Sequence, residues 1–128
     1  ADSELVLVNF YAPWCPWSKR LAPVWEETAA HVASKHSQSV VAIAKVDCTD
    51  PAMHDVCTRQ HVHAFPTIRI YRSHHAHSLE NYMADRTHEA FEAFVEKNLP
   101  QHASATGAKP VPFWEQEEIE LHAKGGDG

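Results

Sequence analysis

Cys15 stands in the run Ala12-Pro13-Trp14-Cys15-Pro16-Trp17-Ser18, after an apolar stretch and before a segment of helical periodicity. A thiol at the start of a helix meets free backbone N–H groups and the positive end of the helix dipole. Both favour the thiolate, which is the nucleophile in disulfide exchange. Trp14, Pro16 and Trp17 supply an apolar surface around the sulfur, and the Ser18 hydroxyl is placed to donate a hydrogen bond to it. A lone cysteine is also compatible with a small buried hydrophobe. The strand before it, the helix after it and a later Phe65-Pro66-Thr67 favour a reactive thiol. The chain has three cysteines, so at least one is unpaired within it.

Cys48 ends an apolar run and Cys57 follows after a short polar segment. In an oxidising compartment the two can bridge, which leaves Cys15 as the odd thiol. In a reducing one they are two half-buried thiols. Eleven histidines are the other unusual feature. His74, His75 and His77 crowd into one turn, and His61 and His63 precede the Phe65-Pro66 step. Such spacing is open to zinc or copper ligation, to pH-dependent release of a bound partner, or to a solvated polar turn. The solvated turn is the reading adopted, and no metal ligand is assigned.

The net charge is −6 with histidine neutral. A nucleic-acid binder needs a basic face, so that class is excluded. No secretory leader opens the sequence. The longest apolar run, residues 40–44, is far short of the ~20 residues of a membrane span, so no direct membrane insertion by this segment is expected.

The elements that must position Cys15 follow from periodicity. Residues 5–11, LVLVNFY, form a buried strand. Leu21, Val24, Trp25, Thr28, Ala29 and Val32 share one face of a long amphipathic helix reaching about residue 36, which Pro23 should kink. Residues 40–46 form a second strand. Asp50-Pro51 opens a short helix to about residue 60. Residues 67–71 are a third strand and residues 79–83 a weaker fourth. Thr87 opens the last helix, with Ala90, Phe91, Phe94 and Val95 as its apolar stripe. This order is α/β, with the first two strands parallel across a long helix and an antiparallel hairpin added.

The stretch NFYAPWCPWSKRLAPVWEETA resembles the active-site strand and helix of protein disulfide isomerases. AKVDCT is similar to their next strand, FPTIRIY to the segment holding their cis-proline, and Ala84-Asp85-Arg86 to the motif before their last helix. The likeness covers residues 4–99. It implies a thioredoxin fold, a central mixed β-sheet flanked by helices. It also implies a cis Pro66 whose loop faces Cys15 and pairs with extended substrate, with Phe65 adding an apolar contact. Trp14, Pro16, Trp17, Phe65 and Pro66 become the substrate-binding surface. Cys15, Ser18 and Arg86 become the catalytic set. Arg86 matches the family's mobile, pKa-lowering arginine, and equally fits an exposed charge at a helix start.

The family motif is Cys-x-x-Cys, and here its second position is Ser18. A serine cannot resolve a mixed disulfide, so release from Cys15 would need an external thiol: glutathione as co-substrate, or a substrate cysteine. Asn9 also stands where the family carries a buried glutamate that pairs with a lysine at the position of Lys45. Asn9 and Ser18 read as matched losses, which favours a natural motif over an engineered trapping substitution. The WC-x-WS pattern with the histidine-rich turn resembles a plant and protist subgroup in which such a domain is fused to segments of an endoplasmic reticulum–Golgi cargo receptor.

The resemblance therefore implies a thiol–disulfide exchange domain in the endoplasmic reticulum lumen or early secretory pathway. Its partners would be unfolded or cysteine-containing secretory proteins, captured as mixed disulfides for isomerisation or retention. The full-length protein would be membrane-anchored. No resident cofactor is expected. The competing reading is a non-catalytic client-binding module of a secretory-pathway cargo receptor. A glutathione-dependent monothiol reductase lacks a recognisable glutathione site, and a cytosolic thioredoxin would need the second cysteine. Residues 1–100 are assigned to the domain, without the fold's first strand and helix, and residues 101–128 to a linker and acidic tail.

Overall fold

A computed structural model describes residues 3–73 and 79–99. Its elements are β1 (Leu5–Tyr11), α1 (Pro16–Lys35), β2 (Val41–Asp47), a 3-10 turn (Pro51–Met53), α2 (His54–Arg59), β3 (Thr67–Arg72), β4 (Glu80–Asn81) and α3 (His88–Asn98). The sheet order is β2-β1-β3-β4. β1 runs parallel to β2 and antiparallel to β3, and β3 runs antiparallel to β4. This is the expected thioredoxin fold, a mixed sheet flanked by helices.

β1 is apolar except for Asn9 because it lies inside the sheet and is covered on both faces. Leu5 and Leu7 point to one core with Leu21, Trp25 and Val32 of α1 and with Phe91 and Val95 of α3. Val6, Val8 and Phe10 point to the other, with Met53, Val56, Cys57 and Tyr71. The period-2 alternation of the strand sorts these residues, and α1 with α3 covers one face while α2 covers the other. Trp25 locks α1 to the sheet: its indole N–H donates to the Ala44 carbonyl at 2.8 Å, and its ring meets Phe91 edge-on at 5.0 Å. A buried indole needs such an acceptor, since an unpaired N–H costs about 1–3 kcal/mol.

α1 continues through Pro23 to Lys35 without interruption. Pro23 brings no N–H to the Lys19 carbonyl, and it lies on the exposed side of the helix. α2 is shorter than the expected helix because its first turn is the 3-10 segment, capped by Asp50 Oδ1 accepting from Ala52 N–H at 2.9 Å. It ends on His61 at φ 58°, with Val62 N–H donating to the Cys57 carbonyl and His61 N–H to that of Thr58. That is a Schellman ending with histidine where glycine is usual. β4 is two residues long against the five expected. Leu79 and Met83, on either side of it, are exposed, while Tyr82 turns inward against Phe91. Thr87 caps α3 as expected, accepting from Ala90 N–H at 3.1 Å.

Cys48 and Cys57 are joined by a disulfide that ties the end of β2 to α2. The bridge spans a sequence separation of 9 residues. Loop-closure entropy for a ring of that size is worth about 2.5–3 kcal/mol. The Cys48→Ser/Cys57→Ser double variant is therefore expected to lose that much stability in guanidinium unfolding without reductant. An unchanged midpoint would show that the bridge contributes nothing. The turn holding His74, His75 and His77 and the tail of residues 101–128 lie outside the described residues.

Candidate active site

The site is built by the sharp passage from β1 into α1. Cys15 is the N-cap residue of α1, in extended conformation, and its N–H donates to the Ala12 carbonyl at 3.0 Å. Pro16 occupies the first helical position, where its fixed φ suits the helix and its missing N–H costs nothing. The next two N–H groups, on Trp17 and Ser18, have no intrahelical acceptor. An N-cap side chain ordinarily accepts from those positions through oxygen. Here the side chain is a thiol, a poor acceptor, and it makes no capping hydrogen bond in that form; once ionised, the sulfur becomes an acceptor for these donors.

The Cys15 thiol is accordingly held below its ordinary value. The hydrogen bond from Ser18 N–H is the largest cause. Burial opposes it, and the Trp17 N–H and the Ser18 hydroxyl add to the lowering. Arg86 is not among the groups that shift it. Ser18 is 2% exposed, and its Oγ accepts from Ala12 N–H at 3.3 Å. With that bond on the oxygen, its single O–H is available to the Cys15 sulfur.

Cys15 keeps 9% of its surface and lies between Trp14, 65% exposed, and Trp17, 58% exposed. The Phe65–Pro66 peptide is cis, as the resemblance implies. The Phe65 carbonyl faces the thiol, which reaches it at 3.5 Å. Trp14 meets the Phe65 ring edge-on at 6.0 Å. Cys15, Ser18, Trp14, Phe65 and Pro66 are thus brought together across 50 residues of sequence. Trp17 carries the Arg20 guanidinium over its ring at 5.0 Å and lines a groove with Arg20, Leu21 and Arg86. Arg20 is a groove residue that sequence reading did not single out. Its spacing of three from Trp17 on a helix was the available signal.

Asn9 lies below the site on the α1 side of the sheet, paired in register with Lys45. Its Oδ1 is buried without a partner. Lys45 extends to Glu26 of α1 instead, Nζ to Oε2 at 2.7 Å. Asn9 is thus a buried group that cannot titrate, and the neighbouring lysine is paired with Glu26.

The thiol's expected pH profile follows from these bonds. Thiolate persists below the ordinary value of about 8.5, so iodoacetamide alkylation of Cys15 has its midpoint below that of the guanidinium-unfolded chain. Because the folded value is the lower one, the thiolate stabilises the fold above the ordinary thiol pKa, and this stabilisation is lost as pH falls through the folded midpoint. Ser18→Ala should raise the midpoint yet leave it below the unfolded one, since both N–H donors remain. Coincident midpoints in the native and unfolded chain would contradict the capping geometry.

A strand-to-helix thiol facing a cis-proline loop on a mixed sheet defines a thioredoxin-type domain. The thioredoxin family model matches residues 1–97, and the chain belongs to that family. Within it, the chain is a thioredoxin domain related to protein disulfide isomerases. It is 40% identical over 114 residues to protein disulfide isomerase-like 5-4 of Oryza sativa subsp. japonica, covering 77% of this chain and 23% of that one. It is 38% identical over 103 residues to protein disulfide-isomerase 5-4 of Arabidopsis thaliana, covering 71% and 21%. A crystal structure of human ERp44 superposes with a TM-score of 0.65 at 26% identity, covering 74% of this chain and 25% of that one. The chain thus spans less than a quarter of the length of these two curated relatives.

Proposed function

We propose that this domain performs thiol–disulfide exchange through Cys15 alone. The observation that carries the reading is the state of the three sulfurs. Cys48 and Cys57 are bonded to each other, and Cys15 is the free cysteine, N-capping a helix with a serine where a resolving sulfur would stand. The Cys15 thiolate attacks one sulfur of a client disulfide, forms a mixed disulfide, and expels the other client sulfur as a thiolate. With no neighbouring thiol, the bond is broken by an incoming thiolate. If that thiolate is a client cysteine, the client is isomerised and Cys15 is regenerated. If it is glutathione, the client leaves as a glutathione mixed disulfide. Between the two events the client is held covalently.

The client segment is expected to lie extended along the Phe65-Pro66 loop, with apolar side chains against Trp14, Pro16 and Phe65. Arg86 and Trp17 would line the groove to one side and meet a client's flanking residues. The clients are unfolded or cysteine-containing secretory proteins, and the location is the endoplasmic reticulum lumen or early secretory pathway, in keeping with relatives among protein disulfide isomerases, ERp44 and ERdj5. On this reading residues 1–100 are the exchange domain and residues 101–128 a linker and acidic tail. The parent would be a membrane-anchored protein of the cargo-receptor-fused subgroup. Among the described residues no helix is long and apolar enough to cross a membrane.

An isomerase assay on a scrambled disulfide protein tests the reading. On the scrambled protein turnover is expected even without added thiol, because each attack frees a client thiolate that can displace Cys15. On a peptide with one intermolecular disulfide a single stoichiometric capture is expected until glutathione is added, and thiol-free turnover on that peptide would contradict the reading. No covalent capture at all, together with retained client affinity, would favour the non-catalytic binding module, which the exposed Trp14 and Trp17 surface also suits.

A further inference from the structure

We propose that Glu27, His31 and His88 form a zinc site that clips α1 to α3. The site is separate from Cys15 and independent of its chemistry, because Glu27 and His31 lie three to four turns further along α1. Among the described residues these three side chains form a cluster of metal-ligating type. One ligand atom from each can be chosen so that all lie within 4.8 Å of one another.

The geometry goes beyond proximity. Glu92, the least exposed member of the group, places one carboxylate oxygen between two imidazoles. Its Oε2 is 2.8 Å from His31 Nδ1 and 2.9 Å from His88 Nδ1. An ionised carboxylate only accepts, so in each neutral ring the proton sits on Nδ1 and the lone pair on Nε2. Both Nε2 atoms then face Glu27, whose Oε2 lies 3.9 Å from that of His31 and 3.5 Å from that of His88. Four-coordinate zinc with bonds of 2.0–2.1 Å requires ligand atoms about 3.3 Å apart. The two distances from Glu27 must shorten by about 0.6 and 0.2 Å to reach that spacing, a side-chain adjustment at partly exposed residues. Glu89 Oε1, 3.4 Å from His88 Nε2, or water can supply the fourth ligand.

A carboxylate that holds the distal nitrogens of ligating histidines is the usual second layer of a zinc site. It fixes the tautomer and the ring orientation, and its loss typically costs 10–100-fold in affinity. The imidazole planes stand at 89° with centroids 5.3 Å apart, so the rings converge without stacking. The histidines flagged by spacing offer less: His61 and His63 sit 6.3 Å apart with no third ligand near them among the described residues.

The test uses the full chain with Cys15 carboxamidomethylated, which removes the thiolate as a competing ligand. Zinc is titrated against a chromophoric chelator. One equivalent is expected to bind at micromolar zinc or below. His31→Gln and His88→Gln should each weaken binding at least ~10-fold and Glu92→Gln by ~10–100-fold, with His61→Gln and His63→Gln unchanged. In the unsubstituted chain, ring nitrogen resonances of His31 and His88 should shift at Nε2 on adding one equivalent, a readout that no folding defect can mimic. Absence of binding at micromolar zinc would overturn the proposal. So would undiminished binding in His31→Gln/His88→Gln, or Nε2 shifts confined to other histidines.

Discussion

Cys15→Ala is expected to abolish covalent capture of disulfide-containing peptides completely, while the domain stays folded by far-UV dichroism. The other two sulfurs are consumed in the Cys48–Cys57 bridge, so no second nucleophile can substitute. The residue is buried at the start of α1, 9% exposed, but it belongs to neither of the two core clusters, so alanine removes one sulfur and no core anchor. What it removes is the thiol whose pKa the Ser18 and Trp17 N–H groups lower. Non-covalent affinity for an unfolded peptide should persist, because Trp14, Trp17 and Phe65 are untouched. The two roles of the surface, gripping and bonding, then separate cleanly in one variant. Intact mass after incubation with a disulfide-bonded peptide reads the result. A residual adduct on Cys15→Ala would mean that the bridge sulfurs react and that the nucleophile is misassigned.

Ser18→Cys is expected to have the opposite effect. It installs a second sulfur at the site where Ser18 Oγ now stands, buried and directed at Cys15. Release of a captured peptide becomes intramolecular. Holding two reacting groups in place is worth many orders of magnitude in effective concentration. The mixed disulfide should shorten in lifetime by at least ~100-fold in thiol-free buffer, and the oxidised variant should lose its free thiols. Resolution is expected to remain slower than it could be, because Asn9 offers no group to take a proton from the incoming thiol. A lifetime equal to that of the unsubstituted domain would show that something other than the missing sulfur limits release.

Much of this arrangement was legible in the residues. β1 announces itself as an apolar run broken only by Asn9, because it is covered on both faces, and α1 by the stripe from Leu21 to Val32 that meets Leu5 and Leu7. Cys15 was recognisable from the strand before it and the helix after it. The partners that lower its pKa are chiefly backbone N–H groups, and no side-chain pattern spells those out. The pairing of Cys48 and Cys57 stayed open in sequence because spacing alone fits a bridge and two thiols equally. β4 was overestimated because its alternation extends past the two residues that pair with β3.

A histidine–carboxylate seam stays hidden in the sequence for a physical reason: it lies between two helices far apart along the chain. His31 and His36 on the α1 side meet Glu92 and Glu96 of α3 at 2.8 and 2.6 Å. Only the Glu27–His31 and His88–Glu92 spacings of four were visible locally, and such pairs are ordinary on helix surfaces. Arg69 is a similar case. It is a charged residue in a strand and is buried, donating to Asn81 Oδ1 and the Gln60 carbonyl at 2.7 Å each. Those acceptors come from β4 and the end of α2, which the pattern of β3 alone does not reveal.

The decisive experiment isolates the adduct between Cys15 and a short peptide and follows its decay by intact mass, first in buffer purged of thiols and then with millimolar glutathione. The proposed chemistry requires an adduct that persists for hours alone and collapses within minutes once glutathione enters. Prompt decay in the purged buffer, at a rate that glutathione does not change, would mean that the domain carries its own means of release and that one sulfur is not the whole of its chemistry.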